Sequence, residues 1–420
     1  MFFMTETFHY LGGNLFAEDV ALEKIATEVG TPCYVYSRKR LQENYAAFAA
    51  AVAVPNVKTG IYYAIKSNAN VAVAATLVEC GAGVDVTSGG ELERALAAGT
   101  EPRNIIYSGV GKMRDEIATA LKVGVRQLNV ESIPELHAIA AVAAEMNVVA
   151  PVALRVNPDV VARTYKKTST GELSTKFGIP FSQLDEAMHL TGTSPALRFS
   201  GFQVHIGSHV YDYEPFRDAF QQVAKLVREW RARGVVVDHL DLGGGVSIPY
   251  DDHGLPPLSD YGAIVRETLG DIGCELSFEP GRRLVGDAGV LLSRVIYDKP
   301  SVGKHFLIID AGMNDLVRPA MYGARHGIKP LKENTGDAGL VDVVGPICET
   351  ADLFGEDYRL LGIEAGSLMA IMQAGAYSSA MASTYNGRAL VPEVMVSGSS
   401  TRIVRRRITV QEQIGWEAKS

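Results

Sequence analysis

The stretch GVDVTSGGELERALAAGTEPRNIIYSGVGKMRDEIATALKVGVRQLNV, residues 83–130, decides the fold. Three short runs with β-branched residues, GVDVT (83–87), NIIYS (104–108) and RQLNV (126–130), are separated by ELERALAAG (91–99) and MRDEIATALKVG (113–124). In the latter two, apolar residues recur at helical spacing and the pattern closes on a glycine. Further out, the alternation begins at IYYAIK (61–66) and continues through PVALRVN (151–157), FSGFQVHIG (199–207), DHLDLG (238–243) and ELSFEP (275–280), with PELHAIAAVAAEMN (134–147) among the helices. Strand and helix alternating eight times predict an α/β chain with a closed (β/α)8 TIM-type barrel; a doubly wound open sheet is the competing arrangement.

Beyond residue 285 the pattern changes to short runs such as VLLSRVIYD, KHFLIIDAG, DVVGPIC and EVMVSGSS, set between Gly- and Pro-marked turns. These predict a second, mainly β domain. The strand-like FHYLGG and CYVYS near the N-terminus flank a short helix and are expected to join it, giving a barrel over 38–285 and a β-rich domain from 1–37 plus 286–420. A chain of 420 residues is consistent with two such domains. Residues 158–178 form a polar insertion too long for an ordinary strand-to-helix connection, which reads as a lid or an interface element.

Composition narrows the function. The chain is 47% hydrophobic and 21% charged with no apolar run able to span a bilayer, so a membrane role is not expected. A net charge of -8 with both signs interspersed argues against nucleic acid, and Arg405-Arg406-Arg407 reads as a solvated or strand-edge patch. Cys33, Cys80, Cys274 and Cys348 form no close pair, which argues against a disulfide framework or a metal site. No signal peptide is evident at the N-terminus, and the cytoplasm is the expected location.

In a barrel of this kind the reactive groups lie at the carboxyl ends of the strands. Lys66, Asp85, Arg155, His205 and Glu279 all fall at or near such ends, in five different strands. A single charge there is ordinarily a solvated rim residue; the convergence on one mouth is what carries weight. Past the seventh strand comes Gly243-Gly244-Gly245, and past the eighth Pro280-Gly281-Arg282. A lone triple glycine is a tight turn, but beside an arginine on the next loop it points to a phosphorylated ligand held by backbone N–H groups and a guanidinium. A lysine facing a phosphate site across the mouth suits a Schiff base to pyridoxal 5'-phosphate, with Glu279 at the pyridine nitrogen and His205 against the ring face.

Ten motifs in order then resemble the fold-type III pyridoxal-phosphate decarboxylases, and within that family the branch acting on diaminopimelate: YVYS (34–37), YAIKSN (63–68), DVTSGGEL (85–92), STKFGI (174–179), HIGSH (205–209), LDLGGG (240–245), EPGR (279–282), RPAMY (318–322), GPICETAD (345–352) and AGAY (374–377). The resemblance implies that Lys66 carries the cofactor, that His205 stacks on it, and that Asp85, Ser208, Gly244, Gly245, Glu279, Gly281, Arg282 and Tyr377 bind it. It further implies that Cys348 donates a proton across the interface of a homodimer with shared active sites. Arg282, Arg318 and Tyr322 would hold a distal carboxylate, Glu349 a distal ammonium, and Tyr377 would touch substrate as well as cofactor.

The implied reaction is decarboxylation of meso-2,6-diaminopimelate to L-lysine. Its rivals are a decarboxylase of carboxynorspermidine, ornithine or arginine, an amino-acid racemase, and an inactive homologue; intact Lys66, Glu279 and Cys348 speak against the last. Arg318 would leave a cationic tail facing a like charge, which disfavours ornithine. The sequence departs from the family pattern at Ser67, where relatives carry Ala, at His209, where many carry Gln, in CETAD for CESGD, and at Arg325, where a bulky aromatic is expected.

Overall fold

The computed structural model describes residues 7–160, 170–171, 175–250, 254–333, 335 and 338–417, which fall into two compact units. The larger runs from Asn44 to Ser247 and from Leu255 to Leu284. Among its described residues the strands Thr59–Ala64 (β1), Gly83–Val86 (β2), Ile105–Tyr107 (β3), Gln127–Val130 (β4), Ala150–Asn157 (β5), Leu197–Gln203 (β6), His239–Asp241 (β7) and Glu275–Phe278 (β8) are all parallel to their neighbours. The ring closes where Leu276 of β8 stands opposite Thr59 of β1, so no strand has a free edge. That closure decides for the barrel against the open sheet. Every residue of β2 and β4 is buried, because helices cover one face of the ring and the strands fill the other from within.

The connecting helices begin where the sequence supplies an acceptor for their first N–H groups. Ser88 and Ser132 accept from the N–H of Glu91 and Glu135 at 3.2 and 3.3 Å, and Gly124 at φ +80 ends the helix Arg114–Val123 in the left-handed region. The helix Glu214–Ala232 buries Phe216, Phe220, Val223, Val227 and Trp230 on one face. Phe216 and Phe220 meet Tyr261 at 5.1 and 6.2 Å between ring centroids, and Tyr261 meets Phe278 of β8 at 6.4 Å. Each such side chain contributes about 1.5–3 kcal/mol by leaving water, so this aromatic wedge is a main anchor of helix to barrel.

Six of the eight strands end before the runs that predict them. Lys66 lies beyond β1 in a single 3-10 turn, Ile65–Ser67, His205 lies two residues past β6, and Glu279 directly follows β8. An apolar run reports burial, whereas a strand ends where its ladder partner ends, and the partner is not visible from one segment. Of the polar insertion, residues 161–169 and 172–174 lie outside the described residues, and with them the reading as a lid. Its described end returns to the barrel, Ile179–Pro180 pairing with Val156 and Asn157 of β5.

The smaller unit comprises the chain up to Glu43, a short segment from Ile248, and everything from Val285 onward. Its sheet runs, in spatial order, Leu353–Leu361, Ala338–Val344, Lys304–Ile309, Gly289–Ser301, Cys33–Ser37, Glu393–Ser397 and Ser400–Arg405, with Leu368–Ile371 and Ile328–Pro330 branching from the long central strand. A three-stranded antiparallel ribbon, Phe8–Leu11, Asn14–Ala17 and Val20–Ala21, and the helix Leu22–Val29 that follows it pack on the sheet, Phe8 and Leu15 of the ribbon and Leu22 and Ile25 of the helix joining Val35, Val290, Leu292 and Val394. The mainly β character of the second domain is as the sequence predicts. Among the described residues no helix is long and apolar enough to cross a membrane.

Candidate active site

The mouth of the barrel is built by the turns and loops at the carboxyl ends of its strands. Lys66 is held by the turn after β1, which Ser67 pins by donating to the Ala64 carbonyl at 2.8 Å. Its Nζ lies 3.0 Å from Oδ2 of Asp85 on β2; the carboxylate is fully buried and the lysine side chain 36% exposed. One end of the ion pair is therefore fixed in the protein while the amine keeps access to the mouth.

Glu279 is buried and accepts from three neutral donors among the described residues, Asn129 Nδ2 at 3.1 Å, Ser108 Oγ at 3.4 Å and Gln203 Nε2 at 3.2 Å. Burial, with Asp241 and Asp85 nearby, holds its carboxyl well above the usual carboxylate range; Lys66 only partly opposes this. Two buried oxygens, Asp85 Oδ1 and Gln203 Oε1, have no hydrogen-bond partner among the described residues.

His205 accepts a 3.0 Å hydrogen bond at Nδ1 from the N–H of Gly244. A backbone N–H can only donate, so this nitrogen carries no proton. Burial and the cations Arg155 and Lys66 push the imidazole well below its ordinary value, and the ring is neutral with its proton on Nε2. Arg155 is itself tied to the Glu131 carboxylate at 2.6 Å and to the His205 carbonyl at 3.3 Å, so it braces the mouth.

The turn after β7 brings backbone close to backbone. A Cβ on Gly244 would lie 2.2 Å from the Glu279 carbonyl oxygen, and Gly245 sits at φ +116 with its Cβ position 2.5 Å from the Gly207 carbonyl. Gly281 packs on Ser67, and Arg282, buried, donates to Ser208 Oγ at 3.3 Å. Replacing Gly244 by Ala is expected to weaken cofactor binding about tenfold and to cost about 1–3 kcal/mol of stability, as overpacking does. Cofactor titration and thermal unfolding check this, with Gly192→Ala, which has open space around it, as the unaffected control.

In the smaller unit Arg318 is 1% exposed. Its guanidinium lies 4.2 Å over the Tyr250 ring and donates to His326 Nε2 at 2.8 Å, while His326 Nδ1 donates to the Met372 carbonyl at 2.8 Å. Tyr322 ends the same short helix and is half-buried. Cys348 is exposed in the loop between Ala338–Val344 and Leu353–Leu361. That loop is shaped by Asp352, which accepts from the N–H of Ile347 at 2.7 Å and of Met313 at 2.6 Å. Glu349 accepts from Tyr385 Oη at 2.5 Å. Tyr377 is placed by a left-handed backbone at φ +54.

Two of the departures have a local account. His209, buried at φ +67, bonds Ser247 Oγ at 2.6 Å through Nδ1 and Tyr211 Oη through Nε2, forming a packed chain across the loop. Arg325 lies 4.3 Å over the Tyr358 ring. Several polar residues around Glu279 are not singled out by strand-end reasoning: Ser108, Gln127, Asn129, Gln203 and Asp241. The signal for two of them is present in RQLNV, where Gln127 and Asn129 alternate with Leu128 and Val130 and so share one face of the strand.

These features define a class. A family profile described as pyridoxal-dependent decarboxylase, pyridoxal binding domain, matches residues 38–286. Over nearly the whole chain it is 45% identical to the diaminopimelate decarboxylase of Pseudomonas aeruginosa (98% of this chain, 99% of that one) and 43% identical to that of Neisseria meningitidis serogroup B (96% and 97%). Among solved structures, diaminopimelate decarboxylase from M. jannaschii in complex with L-lysine superposes with a TM-score of 0.94 at 33% identity, covering 99% of this chain and 98% of that one. The Helicobacter pylori enzyme complexed with L-lysine gives 0.90 at 35%, covering 94% and 98%. The chain belongs to the diaminopimelate decarboxylase family.

Proposed function

We propose that this chain removes one carboxylate of meso-2,6-diaminopimelate as CO2 and releases L-lysine, with pyridoxal 5'-phosphate held covalently at Lys66. The observation that carries the reading is the juxtaposition, in one mouth, of an amine paired to a buried carboxylate, a buried acid among neutral donors, and a neutral imidazole. The residues fit the cofactor. The close backbone at Gly244 and Gly245 leaves no room for a Cβ, the buried Arg282 supplies a cation beside Ser208, and Asp85 Oδ1 and Gln203 Oε1, without a partner among the described residues, await a donor.

When bound, the pyridoxal group supplies an electron sink for the pair left behind as a carboxylate departs. Lys66 would hold the group through its amine, which Asp85 keeps oriented. Glu279 would face the ring nitrogen of the bound group, and the neutral His205 would offer it a flat, uncharged surface that adds no repulsion to a protonated ring. Ser208, Gly244, Gly245, Gly281 and Arg282 anchor the phosphate.

The motif resemblance supplies the remaining roles. Arg282, Arg318 and Tyr322 hold the distal carboxylate, Glu349 the distal ammonium, and Tyr377 contacts both ligands. The working form is a homodimer in the cytoplasm, in which Cys348 of one copy serves the site of the other and returns a proton from Sγ to the substrate Cα. Cys348→Ala is expected to keep the absorbance of bound cofactor while turnover falls about a hundredfold, the lower end for a positioned proton donor. Normal rates in that variant would remove Cys348 from the mechanism.

The direct test is incubation of the purified chain and pyridoxal 5'-phosphate with meso-diaminopimelate, assaying lysine and CO2. CO2 from ornithine, arginine or carboxynorspermidine instead would reassign the substrate, and appearance of the other enantiomer without CO2 would make the protein a racemase.

A further inference from the structure

Beneath Glu279 the barrel holds a second acid that the proposed decarboxylation leaves unused. Asp241, the last residue of β7, is 0% exposed and Glu279 4%. Asn129 Nδ2 bridges the two, 3.2 Å from Asp241 Oδ2 and 3.1 Å from Glu279 Oε1, and each carboxyl acts on the protonation of the other.

Among the described residues the other donors to the pair are neutral. Ser108 from the end of β3 and Gln203 from β6 reach Glu279, while Gln127 from β4 and the N–H of Gly243 reach Asp241 at 3.3 and 3.1 Å. Charged groups that act on the pair include Asp85 on β2 and Lys66 after β1, and those two are bonded to each other. Two acids thus share one closed space in which, among the described residues, the donors given to either are neutral. Ionising both there is costly, so the pair keeps a proton. Burial raises the Asp241 carboxyl to about 6 and Glu279 well above the carboxylate range.

We propose that Asp241 and Glu279 act as one diacid, which carries a single proton before cofactor binding and passes it to the ring nitrogen of the incoming pyridoxal phosphate. The proposal rests on the reading that Glu279 faces that nitrogen. The transfer balances: the Glu279 O–H bond breaks with its electron pair left on oxygen, and an N–H bond forms on the ring. One carboxylate, one carboxyl and a neutral pyridine become two carboxylates and a pyridinium, with no change in the charge of the barrel interior. Asp241 is then a positioning residue, acting through Glu279 and adding the second negative charge that keeps the ring nitrogen protonated.

The test compares pyridoxal 5'-phosphate with its 1-deaza analogue, in which carbon replaces the ring nitrogen, on cofactor-free wild-type chain and on Asp241→Asn. Spectroscopic titration should show Asp241→Asn weakening pyridoxal phosphate about tenfold or more while the analogue changes by less than about twofold, since a full unit in proton affinity corresponds to a factor of ten. Equal weakening of both cofactors, or of neither, would overturn the proposal and leave Asp241 a packing residue.

A second measurement needs no variant. Calorimetry of the wild type in a pair of buffers with different ionisation heats, at a pH where the free ring nitrogen is unprotonated, should give the same proton count for both cofactors. Uptake of one more proton with pyridoxal phosphate than with the analogue would refute the diacid. Failure of the wild type to bind either cofactor would instead overturn the reading on which the proposal rests.

Discussion

Lys66→Ala is expected to abolish covalent capture of pyridoxal phosphate and to lower turnover by a factor on the order of 10²–10⁴, the range for loss of a positioned acid–base group. The variant removes more than a nucleophile. Asp85 has its Oδ2 on Lys66 Nζ and no exposure of its own, so the substitution leaves a buried carboxylate without its cation. Lys66→Arg separates the two effects: it restores the charge beside Asp85 and the thermal stability, yet gives no covalent capture, because a guanidinium stays protonated and is not nucleophilic. Borohydride reduction of the loaded wild type followed by peptide mapping should mark the peptide containing Lys66. A label on any other lysine would overturn the assignment on which the rest of the site depends.

The parts of this site legible in the sequence are those that depend on one strand at a time. Lys66, Asp85, His205 and Glu279 each announce themselves as polar residues at or near the end of an apolar run, and the eight-fold alternation places such ends on one rim. The parts that are not legible depend on closure of the ring. Asn129 on β4 meets Asp241 on β7 and Glu279 after β8, contacts separated by 112 and 150 residues, because side chains from distant strands cross a common interior. No local pattern encodes that. The seating of Arg318 is a similar case: its position in RPAMY points to a carboxylate-binding role, whereas its stacking on Tyr250 and its bond to His326 are set by packing within the smaller unit. Those neighbours fix the guanidinium plane, which is what a bidentate partner would need.

The buried cation Lys112, in the loop that follows β3, supports the mouth, and its removal should have the largest effect on stability. Its side chain is 0% exposed and that of Glu135 9%. All three ammonium protons are used, on the carbonyls of Gly109 at 2.8 Å and Asn129 at 2.6 Å and on Glu135 Oε1 at 2.7 Å. One of those acceptors is the backbone of the residue whose amide bridges Glu279 and Asp241, so the ion pair helps fix the polar interior. Lys112→Met is expected to destabilise the fold by about 3–5 kcal/mol, the cost of stranding a buried charge, read as a shift in the urea midpoint at constant slope.

The penalty has a pH sign. Burial already raises the Glu135 carboxyl, and Lys112 opposes that rise. Without the lysine its folded-state value climbs further above the unfolded one, so the loss grows as pH rises from about 4.3 through the folded value and shrinks towards acid, where the carboxyl is neutral in both states. Lys112→Met combined with Glu135→Gln should recover much of the stability near neutral pH, giving a coupling energy of about 1–3 kcal/mol in a double-mutant cycle. Additive losses in that cycle would show that Lys112 acts through its carbonyl contacts alone and that the buried pair contributes nothing of its own.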